Sequence, residues 1–281
     1  PMGAGGIRPR PFRTVRSGIS DTIRMMTRSP VSAKQSPDTV WDSMSLNKPH
    51  EQGDKAARVE AMFDAIAPSY ERVNTIATFG QDARWRGRAI AAVRPRGADI
   101  VLDVACGTGD MVRAFLEHDP RPARVIGLDF SAGMLAAGRY RDATGMHLLR
   151  ADGTRLPLRD ASVDIVTCAF GVRNFQRLDA GLREMLRVLR RGGRCAILEF
   201  ATPESGVLRW AYERYCRVVL PLLGRLVSRD RSGAYRYLPK SIETFDTPPM
   251  MERRFLDAGF ATVRKERMNF GGVALYLAQK A

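Results

Sequence analysis

Val101-Leu-Asp-Val-Ala-Cys-Gly-Thr-Gly-Asp110 decides how this chain folds. A short apolar, β-prone run passes straight into a glycine turn, and a helix follows from Asp110, so the segment reads as buried strand, tight turn and helix. Gly107 and Gly109 let the backbone approach a ligand closely, and the first helical turn offers N–H groups with no partner inside the helix. In a nicotinamide-binding turn those groups receive a pyrophosphate. Here Asp103 lies within the strand and Asp110 opens the helix. Both repel a pyrophosphate and suit a ligand carrying an ammonium and a sulfonium.

Moving outward, acids recur at strand ends. Asp129 closes the next strand, Val125-Ile-Gly-Leu-Asp129, where a carboxylate can accept both hydroxyls of a ribose. Asp152-Gly153 follows a third strand, where a carboxylate and a backbone N–H suit the edge of an adenine. Acids at successive carboxyl ends of parallel strands agree with the place where such sheets bind ligands.

The rest of the chain alternates in the same way. Val59, Met62, Phe63 and Ile66 recur at helical spacing up to Pro68, and a second amphipathic stretch runs from Trp85 to Val93 before Pro95. Strands are expected over 100–105, 124–128, 147–150, 163–169 and 194–200. Helices are expected from Asp110, near Met134, through 182–189, as an insertion over 206–228, and near 250–258. Two last strands, 261–268 and 273–279, flank a glycine-containing turn at 269–272 and form a hairpin. The expected fold is α/β, a doubly wound, mostly parallel seven-stranded sheet ending in an antiparallel hairpin.

The segments 103–110, Ala151-Asp-Gly-Thr-Arg-Leu-Pro-Leu-Arg-Asp-Ala-Ser-Val-Asp164 and Leu189-Arg-Arg-Gly-Gly193 resemble successive motifs of the class I S-adenosylmethionine methyltransferases. Phe170-Gly-Val-Arg-Asn174, Leu198-Glu-Phe200, Tyr235-Arg-Tyr-Leu-Pro-Lys-Ser-Ile242 and the lead-in Phe63-Asp-Ala-Ile-Ala-Pro-Ser-Tyr70, with Asn74 and Gly80-Gln-Asp-Ala-Arg-Trp-Arg86, resemble the narrower ubiquinone/menaquinone C-methyltransferase family UbiE/MenG. The resemblance spans about residues 56–281. It implies the class I methyltransferase fold, S-adenosylmethionine as cofactor, and C-methylation of a polyprenyl quinol, either demethylmenaquinol or 2-polyprenyl-6-methoxy-1,4-benzoquinol. The cofactor contacts it implies are Thr108, Asp129, Asp152 and Gly153, beside Asp103, Gly107 and Gly109 of the turn. Ala169 stands where family members often carry serine, which leaves only backbone contact there.

A ring carbon is a weak nucleophile until a neighbouring hydroxyl ionises. Arg173 and Asn174, just past the fourth strand, are expected to orient that hydroxyl and stabilise its oxyanion; the alternative for Arg173 is a pairing with a nearby carboxylate. Tyr70, Tyr235 and Arg236 are expected to line the substrate pocket. Leu208, Tyr212, Tyr215 and Val219 in the insertion read either as a core-facing stripe or as a cover over an isoprenoid chain that also touches anionic lipid.

Composition bounds these readings without choosing among them. The chain has 281 residues, 44% of them apolar, and a formal charge of +15. That excess suits nucleic acid, anionic lipid or anionic ligands alike. Cys106, Cys168, Cys195 and Cys216 show no C-x-x-C spacing, and His50, His118 and His147 lie outside the motif-like segments, so no metal is expected. Residues 1–50 carry eight Lys/Arg against three Asp. They are expected to form a disordered basic extension, either a remnant or a transit peptide, ahead of a catalytic domain over 51–281. Expected partners are the quinol, an anionic membrane surface at its periphery and a second copy of the chain. The expected compartment is the cytoplasm at the inner membrane, or the mitochondrial matrix if the extension is a transit peptide. A basic nucleic-acid methyltransferase would explain the charge but not 170–174, and an inert cofactor-binding scaffold would keep Asp129 without turnover.

Overall fold

A computed structural model describes residues 40–138, 145–219, 222 and 232–281. Its strands are β1 (Ile100–Val104), β2 (Arg124–Asp129), β3 (Met146–Arg150), β4 (Val163–Ala169), β5 (Leu189–Phe200), β6 (Thr262–Met268) and β7 (Val273–Gln279). They form one seven-stranded sheet in the order β3-β2-β1-β4-β5-β7-β6. β1 to β5 pair in parallel, while β7 runs antiparallel between β5 and β6. The order reverses between β1 and β4, which opens a crevice at their carboxyl ends.

Side-chain alternation along β1 divides the core. Leu102 and Val104 pack with Leu182, Met185 and Phe255 on one face. Val101 packs with Trp85, Ile90 and Phe115 on the other. On the first face lie α7 (Leu178–Val188) and, near the end of the chain, Pro248–Asp257; on the second lie α4 (Gln81–Val93) and α5 (Asp110–Leu116). β5 begins at Leu189, five residues before the expected strand, because its first residues pair Leu189 with Val163 ahead of an irregularity in the ladder.

A third apolar cluster sits above the crevice. It joins α2 (Lys55–Ile66), α3 (Tyr70–Ala77), α6 (Ala132–Ala137) and α9 (Ala234–Glu243) through Val59, Met62, Ile66, Val73, Met134 and Tyr237. α3 follows Pro68 almost without pause, since a single 3-10 turn over Ala67–Ser69 accommodates the proline near its start.

Disorder expected over 1–39 concerns residues outside those described. Residues 40–50 correct the remainder of that expectation. Asp42 caps α1 (Ser43–Asn47) by accepting a bond from the Ser45 amide at 2.8 Å. Trp41 is fully buried, stacked on Tyr237 with ring centroids 4.5 Å apart. One large aromatic anchored by long-range packing orders a segment whose local sequence carries no periodic signal. The domain therefore starts at least ten residues before the expected boundary.

The insertion begins as α8 (Gly206–Arg214) and widens into a π turn over Tyr215–Val219; its expected continuation to 228 falls almost wholly outside the described residues. Among the described residues no helix is long and apolar enough to cross a membrane.

Candidate active site

The carboxyl ends of β1, β2 and β4 surround a cavity of about 120 Å³, lined among others by Gly107, Asp129, Asp152, Gly153, Ala169 and Asn174. Asp129 is almost fully buried, and its two oxygens accept the amides of Gly107 (2.8 Å) and Ser131 (2.9 Å). Those bonds tie the β1 turn to β2 and leave further lone pairs for a ligand. Burial raises the Asp129 carboxyl to about 6, against the pull of the same amides. Asp152 accepts from the Thr154 amide and hydroxyl, both at 2.8 Å. Gly153 admits no side chain, because a Cβ there would stand 2.8 Å from the Phe175 ring and 2.9 Å from Val104.

Beside it lies a smaller cavity lined by Met62, Phe63, Ile66, Tyr70, Asn74 and Arg173, closed above by Tyr235 and Tyr237. Phe63, Tyr70 and Phe170 border both cavities. Phe170 turns left-handed at the end of β4 (φ 56°), and its carbonyl accepts from Arg173 Nη1 and from Asn174 Nδ2. Such a backbone conformation is rare outside glycine and has to be held by its surroundings. Here two side-chain donors hold it.

Arg173 makes the carboxylate pairing that was the alternative reading of the sequence, and it also lines the smaller cavity. Its Nη1 pairs with Glu199 Oε1 at 2.8 Å, both side chains buried, and its amide reaches the other Glu199 oxygen at 3.2 Å. Its guanidinium also lies over the Phe200 ring, 5.4 Å from the centroid. Yet its Nε, although buried, has no hydrogen-bond partner. An unpaired buried donor is costly, so a polar acceptor in this cavity would be bound where one is needed.

Several expected contacts are placed otherwise. Asp103 is buried beneath the turn, accepting from Thr167 Oγ1 at 2.7 Å across the β1–β4 pair, and burial raises it to about 7. Neither it nor Thr108 nor Gly109 lines the cavity; Thr108 is buried and Gly109 caps α5 with a left-handed backbone. Arg236 is exposed and outside both cavities, reaching the Trp41 carbonyl at 3.4 Å, because helical phase turns it away from buried Tyr235 and Tyr237. Asn174 faces the larger cavity rather than the smaller one holding Arg173, with its Oδ1 accepting the Tyr237 hydroxyl at 2.9 Å.

Other residues carried no assigned role in the sequence. Phe63, Asn74, Tyr237 and Glu199 stood inside the resembling motifs, and that was their signal. Lys55 and His50 gave none.

The model of the ubiE/COQ5 methyltransferase family matches residues 51–280. The chain belongs to the ubiE/COQ5 methyltransferase family. Within that family it is similar to the demethylmenaquinone methyltransferase of Bacteroides fragilis, 40% identical over 234 residues, 81% of this chain and 94% of that protein. It is 41% identical to the Thermus thermophilus demethylmenaquinone methyltransferase, over 78% of this chain and all of that one. It is 38% identical to the ubiquinone/menaquinone biosynthesis C-methyltransferase UbiE of Geobacter sulfurreducens, over 81% and 90%. Solved structures share the ubiE/COQ5 chain's fold at low identity. A Haloferax volcanii methyltransferase in complex with its Trm112 activator has a TM-score of 0.57 at 20% identity, covering 77% of this chain and 96% of its own. A SAM-dependent methyltransferase from Thermotoga maritima has a TM-score of 0.54 at 18%, covering 78% and 99%.

Proposed function

We propose that this methyltransferase transfers a methyl group from S-adenosylmethionine to a ring carbon of a polyprenyl quinol. One observation carries the substrate reading: three cavities adjoin in series. The cavity of about 120 Å³ at the strand ends suits the cofactor. The smaller, with Arg173, suits a ring. A third of about 320 Å³ shares Asn74, Thr78, Phe200 and Leu238 with the ring cavity and continues between α3 and α8 past Tyr212 and Tyr215. Its lining is mainly apolar, as a hydrocarbon tail requires.

S-adenosylmethionine, when bound, supplies an electrophilic methyl group. The chain's own residues do the rest. Asp129 accepts ribose hydroxyls, while Gly107 and Gly153 allow the cofactor close to the backbone. The aromatic border of Phe63, Tyr70 and Phe170 excludes water between the two cavities. Arg173 Nε donates to the ring oxygen as it ionises. Glu199 holds the guanidinium in place, and the proton of the ring hydroxyl and the ring-carbon proton that the methyl group replaces both leave to water.

Phe79 of the third cavity's lining is exposed, as are Trp210 and Phe270, the chain neighbours of its lining residues Ala211 and Asn269, and Arg209, Arg214 and Arg217 are exposed on the insertion. Exposed aromatics beside arginines suit the headgroup layer of an anionic bilayer, from which a tailed quinol would enter. Each buried methylene adds about 0.8 kcal/mol, so shortening the tail is expected to raise KM far more than it lowers kcat.

Labelled S-adenosylmethionine, supplied with demethylmenaquinol or with 2-polyprenyl-6-methoxy-1,4-benzoquinol, each reduced and oxidised, tests the reading. Label is expected in the ring only with a reduced acceptor, since the quinone has no hydroxyl to ionise. Equal labelling of both redox forms would remove the mechanism, and labelling of neither quinol would remove the substrate. Asp129→Ala is expected to weaken cofactor binding by about 1.5–3 kcal/mol, as for a lost bond to a charged group. Titration calorimetry on the wild type should also show that affinity falling as pH drops through about 6, where the Asp129 carboxylate protonates.

A further inference from the structure

Lys55 opens α2 and is 3% exposed. Its ammonium donates to the carbonyls of Arg173 (2.8 Å) and Phe175 (2.7 Å) and contacts His50 Nδ1 at 3.1 Å. His50 Nε2 lies 2.9 Å from the Ser241 carbonyl, so the neutral ring donates there and accepts from Lys55 at its other nitrogen. Burial holds His50 down at about 4, which keeps it in that form. Two further bonds fasten the same helix end to the same segment: the Ala56 amide to Gln176 Oε1 and Gln176 Nε2 to the Gln52 carbonyl, both 2.9 Å. All three ammonium hydrogens are used, and none of the partners is a carboxylate.

The charge count around the turn gives this arrangement its meaning. Arg173 is neutralised by Glu199, which is fully buried. A neutral pair stabilises an oxyanion poorly. Lys55 adds a second cation, so Arg173, Lys55 and Glu199 together leave one net positive charge behind the ring cavity. The charged or titratable groups bearing on Lys55 and its partner are Arg173 from the turn after β4, Glu199 from β5, His50 from the segment before α2 and Asp246 acting on His50.

We propose that Lys55 is a positioning residue for methyl transfer, locking the 173–175 turn and supplying the net positive charge that Glu199 removes from Arg173. The proposal rests on the quinol reading for its kinetic consequence but not for its structural one. Burial, then the nearby Arg173, lowers Lys55 to about 8. Its charge is therefore present at neutral pH and lost above about 8.

The test uses the full chain. Lys55→Met removes the donors and the charge while filling the space. It is expected to lower kcat by about 10–10²-fold, as for a small misplacement of a catalytic group, with cofactor affinity within threefold. The fall in kcat above about pH 8 is expected to disappear from its pH profile. In an Arg173→Ala background the same substitution is expected to cost less, because the part of its effect that positions Arg173 is already gone. Hydrogen exchange at the Asn174 and Phe175 amides, bonded to Gly171 and Val172 carbonyls, is expected to quicken. His50→Gln can keep both bonds and is expected to stay within about twofold of wild type, whereas His50→Leu is expected to resemble Lys55→Met; this pair decides the matter if Lys55→Met does not fold. Full activity in Lys55→Met, or an equal cost in both backgrounds, overturns the proposal. If the wild type methylates neither quinol, the quinol reading fails, and amide exchange alone decides: unchanged exchange overturns the clamp, faster exchange supports it.

Discussion

Arg173→Ala is expected to lower turnover by about 10²–10³-fold, the loss associated with removing one preorganised oxyanion donor, while S-adenosylmethionine affinity stays within a few-fold. The selectivity follows from placement, since Arg173 lines the ring cavity and not the cofactor cavity. The substitution has a second consequence. It strips Glu199, 0% exposed, of its partner, and a buried carboxylate left alone costs several kcal/mol, on the order of 3–5. A fall in melting temperature is therefore expected alongside the kinetic loss. Adding Glu199→Gln removes the stranded charge and should recover much of the stability without recovering turnover. Single-turnover label transfer and thermal melts on the single and double variants separate the two effects. Recovery of turnover in the double variant would show that Arg173 serves only to neutralise Glu199.

Trp41→Ala is expected to destabilise the fold by about 3–5 kcal/mol, the usual cost of truncating a buried Trp. At roughly 2–4 °C per kcal/mol for a domain of this size, the melting temperature should drop by about 6–20 °C. Trp41 stacks on Tyr237, whose hydroxyl in turn bonds Asn174 at the cofactor cavity. Calorimetry on this variant, and on chains lacking residues 1–39 or 1–50, checks the point. The shorter deletion is expected to leave melting nearly unchanged and the longer one to reproduce much of the Trp41→Ala loss. Equal melting of both truncated chains would remove residues 40–50 from the domain.

Much of the sheet was legible in the sequence, because strand and helix periodicities are local and the motifs lie at their junctions. The glycine turn, Asp129, the pair Asp152-Gly153 and Ala169 follow strands whose ends the pattern marks, and the parallel order brings those ends to one crevice. The bond of Asp103 to Thr167 was not legible, since it depends on cross-strand register and not on any local pattern. Nor was the exposure of Arg236, because motif membership says nothing about helical phase and its neighbours Tyr235 and Tyr237 turn inward.

What the sequence determined by itself, then, was the alternation that builds a doubly wound sheet and the motifs that mark a methyltransferase. Tertiary structure alone decided how the catalytic turn is held. Lys55 meets the Arg173 carbonyl across 118 positions of chain, His50 meets Ser241 across 191, and Trp41 reaches Tyr237 from outside the expected domain. These contacts have no period and no local motif. They arise where the lead-in segment and α9 close over the crevice, and a buried ammonium or indole finds its partners only once that closure has removed water from around it.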